Sequence, residues 1–205
     1  MGAIERIEEY KVVPVVTIGK AEEAESLLGA LVAGGLPVAE ICFRNECAEG
    51  AIALARKKFP AMLVGAGTVI NRGQCMRAIG AGAQFVVSPG LSEEVAAVCR
   101  ESEVPYIPGV VTPTEIMKAL SLGLAHLKFF PASDFGGLKT IKSLCAAFPQ
   151  VRFMPTGGVS LSDLNEYLSF PKIFACGGSW MMQGSREEIA EKTRAAVLAA
   201  KGEEK

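Results

Sequence analysis

The sequence predicts an α/β protein of one domain, residues 1–205, folded as a (β/α)8 TIM barrel with a short N-terminal helix. Two observations carry that expectation. From Val12 onward, short apolar runs rich in β-branched residues alternate with amphipathic stretches of helical length, eight of each. The connections between them are too short to carry the chain across an open sheet to a second level. A doubly wound open sheet is the competing arrangement, because strand number alone does not prove closure. Against it, no GxGxxG follows the first strand, where Gly19 stands alone.

The elements follow in order. Val12–Thr17 is the first strand and 21–34 its helix; Val38–Phe43 and 47–59 form the second pair. Met62–Ala66 leads to a helix over 71–81 that Asn71 caps, and Gln84–Ser88 to one over 92–102 that Ser92 caps. Pro105–Pro108 precedes a helix at 113–121. The sixth strand, His126–Phe130, is closed by Pro131 and the Gly136-Gly137 turn before a helix over 137–147. Arg152–Pro155 leads to 160–169, where Ser160-Leu161-Ser162-Asp163 reads as a cap followed by an early acid. Ile173–Gly177 leads to 185–201, whose alanine, leucine, glutamate and lysine content suits a terminal amphipathic helix.

Composition limits the function. A net charge of −1 gives no basic surface for nucleic acid or an anionic membrane. The six cysteines are scattered without a CxxC and His126 is the only histidine, so neither a zinc site nor a disulfide framework fits. Scattered thiols are expected to be reduced core residues of a cytoplasmic protein. The start MGAIERIEEYKVV is too charged for a signal peptide, and no apolar run approaches membrane-spanning length.

Chemistry in such a barrel lies at the carboxyl ends of the strands. Lys128 stands in the middle of an otherwise apolar strand, where a lysine either snorkels to water or has a purpose. On the second strand, alternation puts Glu40, Cys42 and Arg44 on one face. Glu40 and Arg44 then form a structural ion pair, or Glu40 meets Lys128 across the barrel mouth with Arg44 above, facing a ligand. Gly65-Ala66-Gly67-Thr68 lets a ligand or a neighbouring backbone come close, with the Thr68 hydroxyl on the next turn. Ser88-Pro89-Gly90 is a further pocket-shaping turn. Strands seven and eight end in Thr156-Gly157-Gly158 and Gly177-Gly178-Ser179, and paired glycines at those two ends are where backbone N–H groups can hold a phosphate. His126 shares the face of Lys128 but lies deeper, and reads as structural.

Taken together, Glu40-Ile-Cys-Phe-Arg44-Asn-Glu-Cys47, Gly65-Ala-Gly-Thr68-Val, Ser88-Pro89-Gly90, Lys128-Phe-Phe-Pro131, Pro155-Thr-Gly-Gly158 and Gly177-Gly-Ser-Trp180 resemble the 2-keto-3-deoxy-6-phosphogluconate (KDPG) and 4-hydroxy-2-oxoglutarate (KHG) aldolases over almost the whole chain. These are class I pyruvate aldolases. The resemblance implies Lys128 as the Schiff-base lysine and Glu40 as the general acid and base. It implies that Arg44 and Thr68 hold the pyruvate carboxylate, with Pro89 and Phe130 lining that pocket. Thr156, Gly157, Gly158, Gly178 and Ser179 complete the substrate site, with Gly157, Gly158 and Ser179 at the phosphate. It further implies no metal, no cofactor beyond the covalent lysine intermediate, and a homotrimer. The chain departs from part of the family at Thr17, where some relatives carry arginine.

Two rival functions remain. The 6-phosphogalactonate aldolase of the same superfamily shares the Schiff base but has the opposite C4 stereochemistry; Arg44 and Thr156 favour the gluconate type. A non-catalytic phosphosugar-binding barrel would keep the glycine loops, but would leave a buried lysine and glutamate facing each other without a task.

Overall fold

A computed structural model describes residues 1–202. Helix α1 (Ala3–Tyr10) precedes β1 (Val12–Val16). After it come α2 (Ala24–Ala33), β2 (Val38–Cys42), α3 (Cys47–Lys58), β3 (Leu63–Gly67), α4 (Arg72–Gly80) and β4 (Val86–Val87). The chain continues through α5 (Glu93–Glu101), β5 (Tyr106–Ile107), β6 (Gly109–Val110), α6 (Pro113–Ser121), β7 (His126–Phe129) and α7 (Gly137–Ala147). It ends with β8 (Arg152–Pro155), α8 (Leu164–Leu168), β9 (Cys176–Gly178) and α9 (Arg186–Lys201).

Every strand pairing is parallel. Six strands run in the order β5-β4-β3-β2-β1-β9, and three in the order β6-β7-β8. Single parallel bridges, Phe153 to Ile173 and Thr156 to Gly177, join β8 to the segment that becomes β9. Strands β2 and β3 are buried at every residue, as parallel strands covered on both faces must be, and apart from Glu40 they read as apolar runs. The helices start where the sequence supplies caps. Asn71 and Ser92 accept the N–H groups of Gln74 and Val95, while Thr112 with Glu115 and Ser185 with Glu188 form capping boxes, each cap contributing about 1 kcal/mol.

The strand expected over Gln84–Ser88 contracts to Val86–Val87 and that expected over Ile173–Gly177 starts at Cys176, and further expectations need correction. The fifth strand is not one run over Pro105–Pro108. It is two short segments either side of Pro108, the first paired with β4 and the second with β7. Pro108 has no N–H for a ladder, but its carbonyl accepts the Lys128 N–H at 2.8 Å. The helix expected over 160–169 shortens to Leu164–Leu168, because Asp163 folds back to take the Ser160 hydroxyl at 2.6 Å and its N–H at 3.0 Å. At the end of β2, alternation stops one residue early: the Arg44 N–H turns back to the Cys42 carbonyl at 2.9 Å, so Arg44 leaves the strand.

Helix α1 is fastened to the amino ends of β7 and β8. The Glu8 carboxylate meets His126 Nε2 at 3.2 Å and the Arg152 guanidinium, and His126 sets its edge on Phe174 at 5.0 Å between ring centroids. Hydrogen bonding to Arg152, aided by His126, holds the Glu8 carboxyl below the ordinary carboxylate range despite its partial burial. His126 is thereby engaged at the opposite end of β7 from its carboxyl end. Among the described residues, no helix is long and apolar enough to cross a membrane.

Candidate active site

Lys128 projects from the middle of β7 and Glu40 from the middle of β2. Both are buried, Lys128 at 5% exposure and Glu40 at 0%. Lys128 Nζ lies 3.2 Å from Glu40 Oε1 and 5.1 Å from the centroid of the Phe130 ring. The Glu40–Arg44 ion pair is not formed; Arg44 Nε instead donates to Thr68 Oγ1 at 3.4 Å. Replacing a buried ion pair by packed apolar side chains is often neutral or stabilising by about 1–4 kcal/mol, so stability alone does not account for this pair. Glu40 Oε2 has no hydrogen-bond partner among the described residues. One carboxylate oxygen is thus engaged by the amine, and the other is buried without a partner beneath the cavity.

The carboxylate owes its place to a glycine. Gly67 on β3 faces it, and a Cβ there would lie 2.6 Å from Glu40 Cγ and 2.8 Å from the carboxylate carbon. Gly65, two residues earlier, makes room in the same way for the Phe85 ring. The glycines of that strand therefore accommodate side chains, where the sequence suggested a ligand or a backbone.

Directly after Gly67, Thr68 adopts φ 56°, a left-handed conformation that is a genuine outlier for a β-branched residue. That backbone turns its hydroxyl toward the Arg44 guanidinium. Cys42 lies beneath, fully enclosed. Burial, then the Glu40 charge, pushes its thiol up, against the Thr68 hydroxyl, Arg44 and Lys128.

A cavity of about 320 Å3 opens above the Lys128–Glu40 pair. Val15, Arg44, Thr68, Pro89, Lys128, Phe130, Thr156, Gly157, Gly158, Val159, Gly178 and Ser179 line it. Of the residues the resemblance assigns to catalysis or substrate binding, all but Glu40 stand on this wall, and Glu40 lies below it against the amine. Val15 and Val159 are additions that carry no polar signal. Thr17 is exposed past the end of β1 and does not line the cavity.

The far wall is built from two glycine loops. Gly157 and Gly158 take φ 90° and 76°, left-handed values that leave successive N–H groups free of the strand ladder. The loop is held against the segment after β7 by Ala132 N–H to Thr156 O at 2.8 Å and Ser133 N–H to Gly157 O at 3.0 Å. Behind it, Gly177 has no side chain because Thr156 occupies that space, and the Trp180 ring covers Gly178. Among the described residues, no group of three or more histidine, cysteine, aspartate or glutamate side chains is placed to hold a metal ion.

The model of the KDPG and KHG aldolase family matches residues 3–197. The 2-dehydro-3-deoxy-phosphogluconate aldolase of Treponema pallidum is 46% identical over 178 residues, covering 87% of this chain and 85% of the relative. The KHG/KDPG aldolase of Escherichia coli K12 is 42% identical over 188 residues, covering 92% and 88%. The crystal structure of KDPG aldolase from Legionella pneumophila, with pyruvate captured as a covalent carbinolamine, superimposes with a TM-score of 0.91 at 38% identity, over 96% of this chain and 98% of that one. On its sequence and its fold alike, the chain belongs to the KDPG and KHG aldolase family.

Proposed function

We propose that this protein is a class I aldolase that cleaves KDPG to pyruvate and glyceraldehyde 3-phosphate, and KHG to pyruvate and glyoxylate. The observation that carries the reading is the buried 3.2 Å contact between Lys128 and Glu40 beneath a cavity walled by two glycine loops. Relatives named for these two activities, at 46% and 42% identity, support it.

Cleaving the C3–C4 bond leaves an electron pair on C3, which a neutral ketone accepts poorly. Lys128 Nζ attacks the C2 carbonyl, and loss of water from the carbinolamine gives an iminium that takes the pair as an enamine. No metal or added cofactor is needed for that electron sink. Glu40 moves the protons: at carbinolamine formation and dehydration, then at the C4 hydroxyl. Proton transfer of this kind contributes about 10²–10⁴-fold. The aldehyde leaves, the enamine is protonated at C3, and hydrolysis releases pyruvate and frees Lys128. Arg44 and Thr68 hold the keto-acid carboxylate, Pro89 and Phe130 wall the pyruvyl group, and Thr156 faces the C4 substituents. Gly157, Gly158, Gly178 and Ser179 receive the phosphate.

The same reading includes one closed (β/α)8 barrel domain. The parallel bridge from Thr156 to Gly177, and the continuity of β5 and β6 through Pro108, support closure of the two sheets. It also includes a cytoplasmic homotrimer acting on small phosphorylated keto acids, with neither nucleic acid nor membrane as partner. The six free thiols suit a reducing compartment, and exposed Ile70, Met76, Met117 and Phe135 offer apolar surface for subunit contact. Pyruvate release from KDPG, from its 6-phosphogalactonate epimer and from KHG tests the assignment. Turnover of the first and third is expected, and turnover of the galactonate epimer alone would overturn it.

A further inference from the structure

Arg44 and Thr68 come from different loops, and one side chain spans both. Gln74 is the third residue of α4, and its own N–H is taken by the Asn71 cap at 2.9 Å. Its side chain folds back over the helix start, where Oε1 accepts the Ile70 N–H at 2.8 Å and Nε2 donates to the Phe43 carbonyl at 3.4 Å. Ile70 lies two residues after Thr68, and Phe43 immediately precedes Arg44. Accepting from one loop while donating to the other is what a carboxamide of this length can do; a carboxylate accepts only, and an ammonium donates only.

The β2–β3 ladder fixes the base of both loops, where the Phe43 N–H donates to the Gly67 carbonyl at 2.7 Å; beyond that bond, Arg44 and the turn after Thr68 need a further tie. Thr68 is held at φ 56°, a strained value that persists only where its surroundings over-determine it. On the helix side of Thr68, Val69 is buried and its N–H reaches the Val87 carbonyl at 3.2 Å, but the Ile70 side chain is 57% exposed and packs little within its own subunit. Arg44 has already left its strand. The 3.4 Å contact between Arg44 Nε and Thr68 Oγ1 therefore depends on how far apart the loops are kept.

We propose that Gln74 is a positioning residue that sets the spacing of Arg44 and Thr68, and so the affinity for the α-keto acid carboxylate. This rests on the reading of Arg44 and Thr68 as the carboxylate-binding pair. Gln74 touches no substrate; it acts through the two loops it joins.

The test compares Gln74→Glu, Gln74→Met, Arg44→Ala and Thr68→Ala in the full chain, with KM and kcat for KDPG and KHG, pyruvate affinity as a product inhibitor, and melting temperature. Gln74→Glu keeps the acceptor for Ile70 and adds a favourable charge to a helix N-terminus, so its melting temperature should equal or exceed the parent's. It nonetheless loses the donor to Phe43, and KM for both substrates and the inhibition constant of pyruvate should rise together. The expected rise is about two- to tenfold, the worth of one hydrogen bond, while kcat changes little. Gln74→Met should show a rise at least as large. Unchanged KM in Gln74→Glu, or a KM that rises only in step with lost melting temperature, would overturn the inference. If Arg44→Ala and Thr68→Ala raise KM while the Gln74 variants do not, the inference alone fails. If Arg44→Ala and Thr68→Ala also leave pyruvate affinity unchanged, the carboxylate reading itself fails with it.

Discussion

Gly67→Ala perturbs the general base without altering a single functional group. The new methyl would fall 2.6 Å from Glu40 Cγ, against the 3.4 Å at which ordinary contact begins, so the carboxylate must withdraw by about 1 Å. Gly67 has no positive φ, and its backbone accepts alanine without strain. Overpacking of this kind costs about 1–3 kcal/mol, or roughly 2–12 °C in melting temperature for a chain of this size. A displacement of about 1 Å at a reacting group costs on the order of 100-fold in rate, far more than the fraction unfolded would explain. Gly65→Ala is the matched control: its methyl would fall 2.5 Å from Phe85 Cδ2, a similar insult that touches no carboxylate. Pyruvate release coupled to lactate dehydrogenase, beside a melting curve, separates the two. Gly67→Ala should lose kcat on the order of 100-fold, and Gly65→Ala should keep a kcat per folded molecule near the parent's. Equal losses in both, or near-normal kcat in folded Gly67→Ala, would refute the placement of Glu40 as the proton-moving group.

Other predictions follow from the same geometry. Glu40→Gln keeps shape but removes the proton acceptor, so turnover should fall about 10²–10⁴-fold in a folded protein, and reductive trapping with pyruvate should slow as well. Ser179→Ala should raise KM for KDPG far more than for KHG, whose far end is a carboxylate; equal changes would remove Ser179 from the phosphate site. Glu8→Gln should lower stability at neutral pH by releasing α1 from His126 and Arg152. Because the folded Glu8 carboxyl lies below its ordinary value of 4.5, its contribution is present above that pH and is lost as pH falls through the lower folded value. Melting curves of parent and variant should therefore converge in acid.

Much of the molecule was legible because alternating runs of period two and period 3.6 announce themselves locally. Asn71 and Ser92 cap where the sequence places them. Side-chain alternation put Glu40 on one face of its strand but left Arg44 and Lys128, the latter 88 residues away, as alternative partners, since strand parity carries no information about distant contacts. The interruption at Pro108 was missed because strands flanking a proline can each pair with a different neighbour. The departure of Arg44 from its strand, the left-handed Thr68 and the loop-spanning Gln74 are set by tertiary contacts that override local pattern. Gly67 was visible as a small residue in the right stretch, yet only the placement of Glu40 gives its reason.

The central claim is that Lys128 is the nucleophile. Incubation with pyruvate and borohydride, followed by peptide mapping, tests it most directly. One reduced pyruvyl group should be found on the peptide containing Lys128, and Lys128→Met should abolish it in a folded protein. Labelling at Lys118, Lys139 or Lys142 instead, or undiminished labelling of Lys128→Met, would contradict the account.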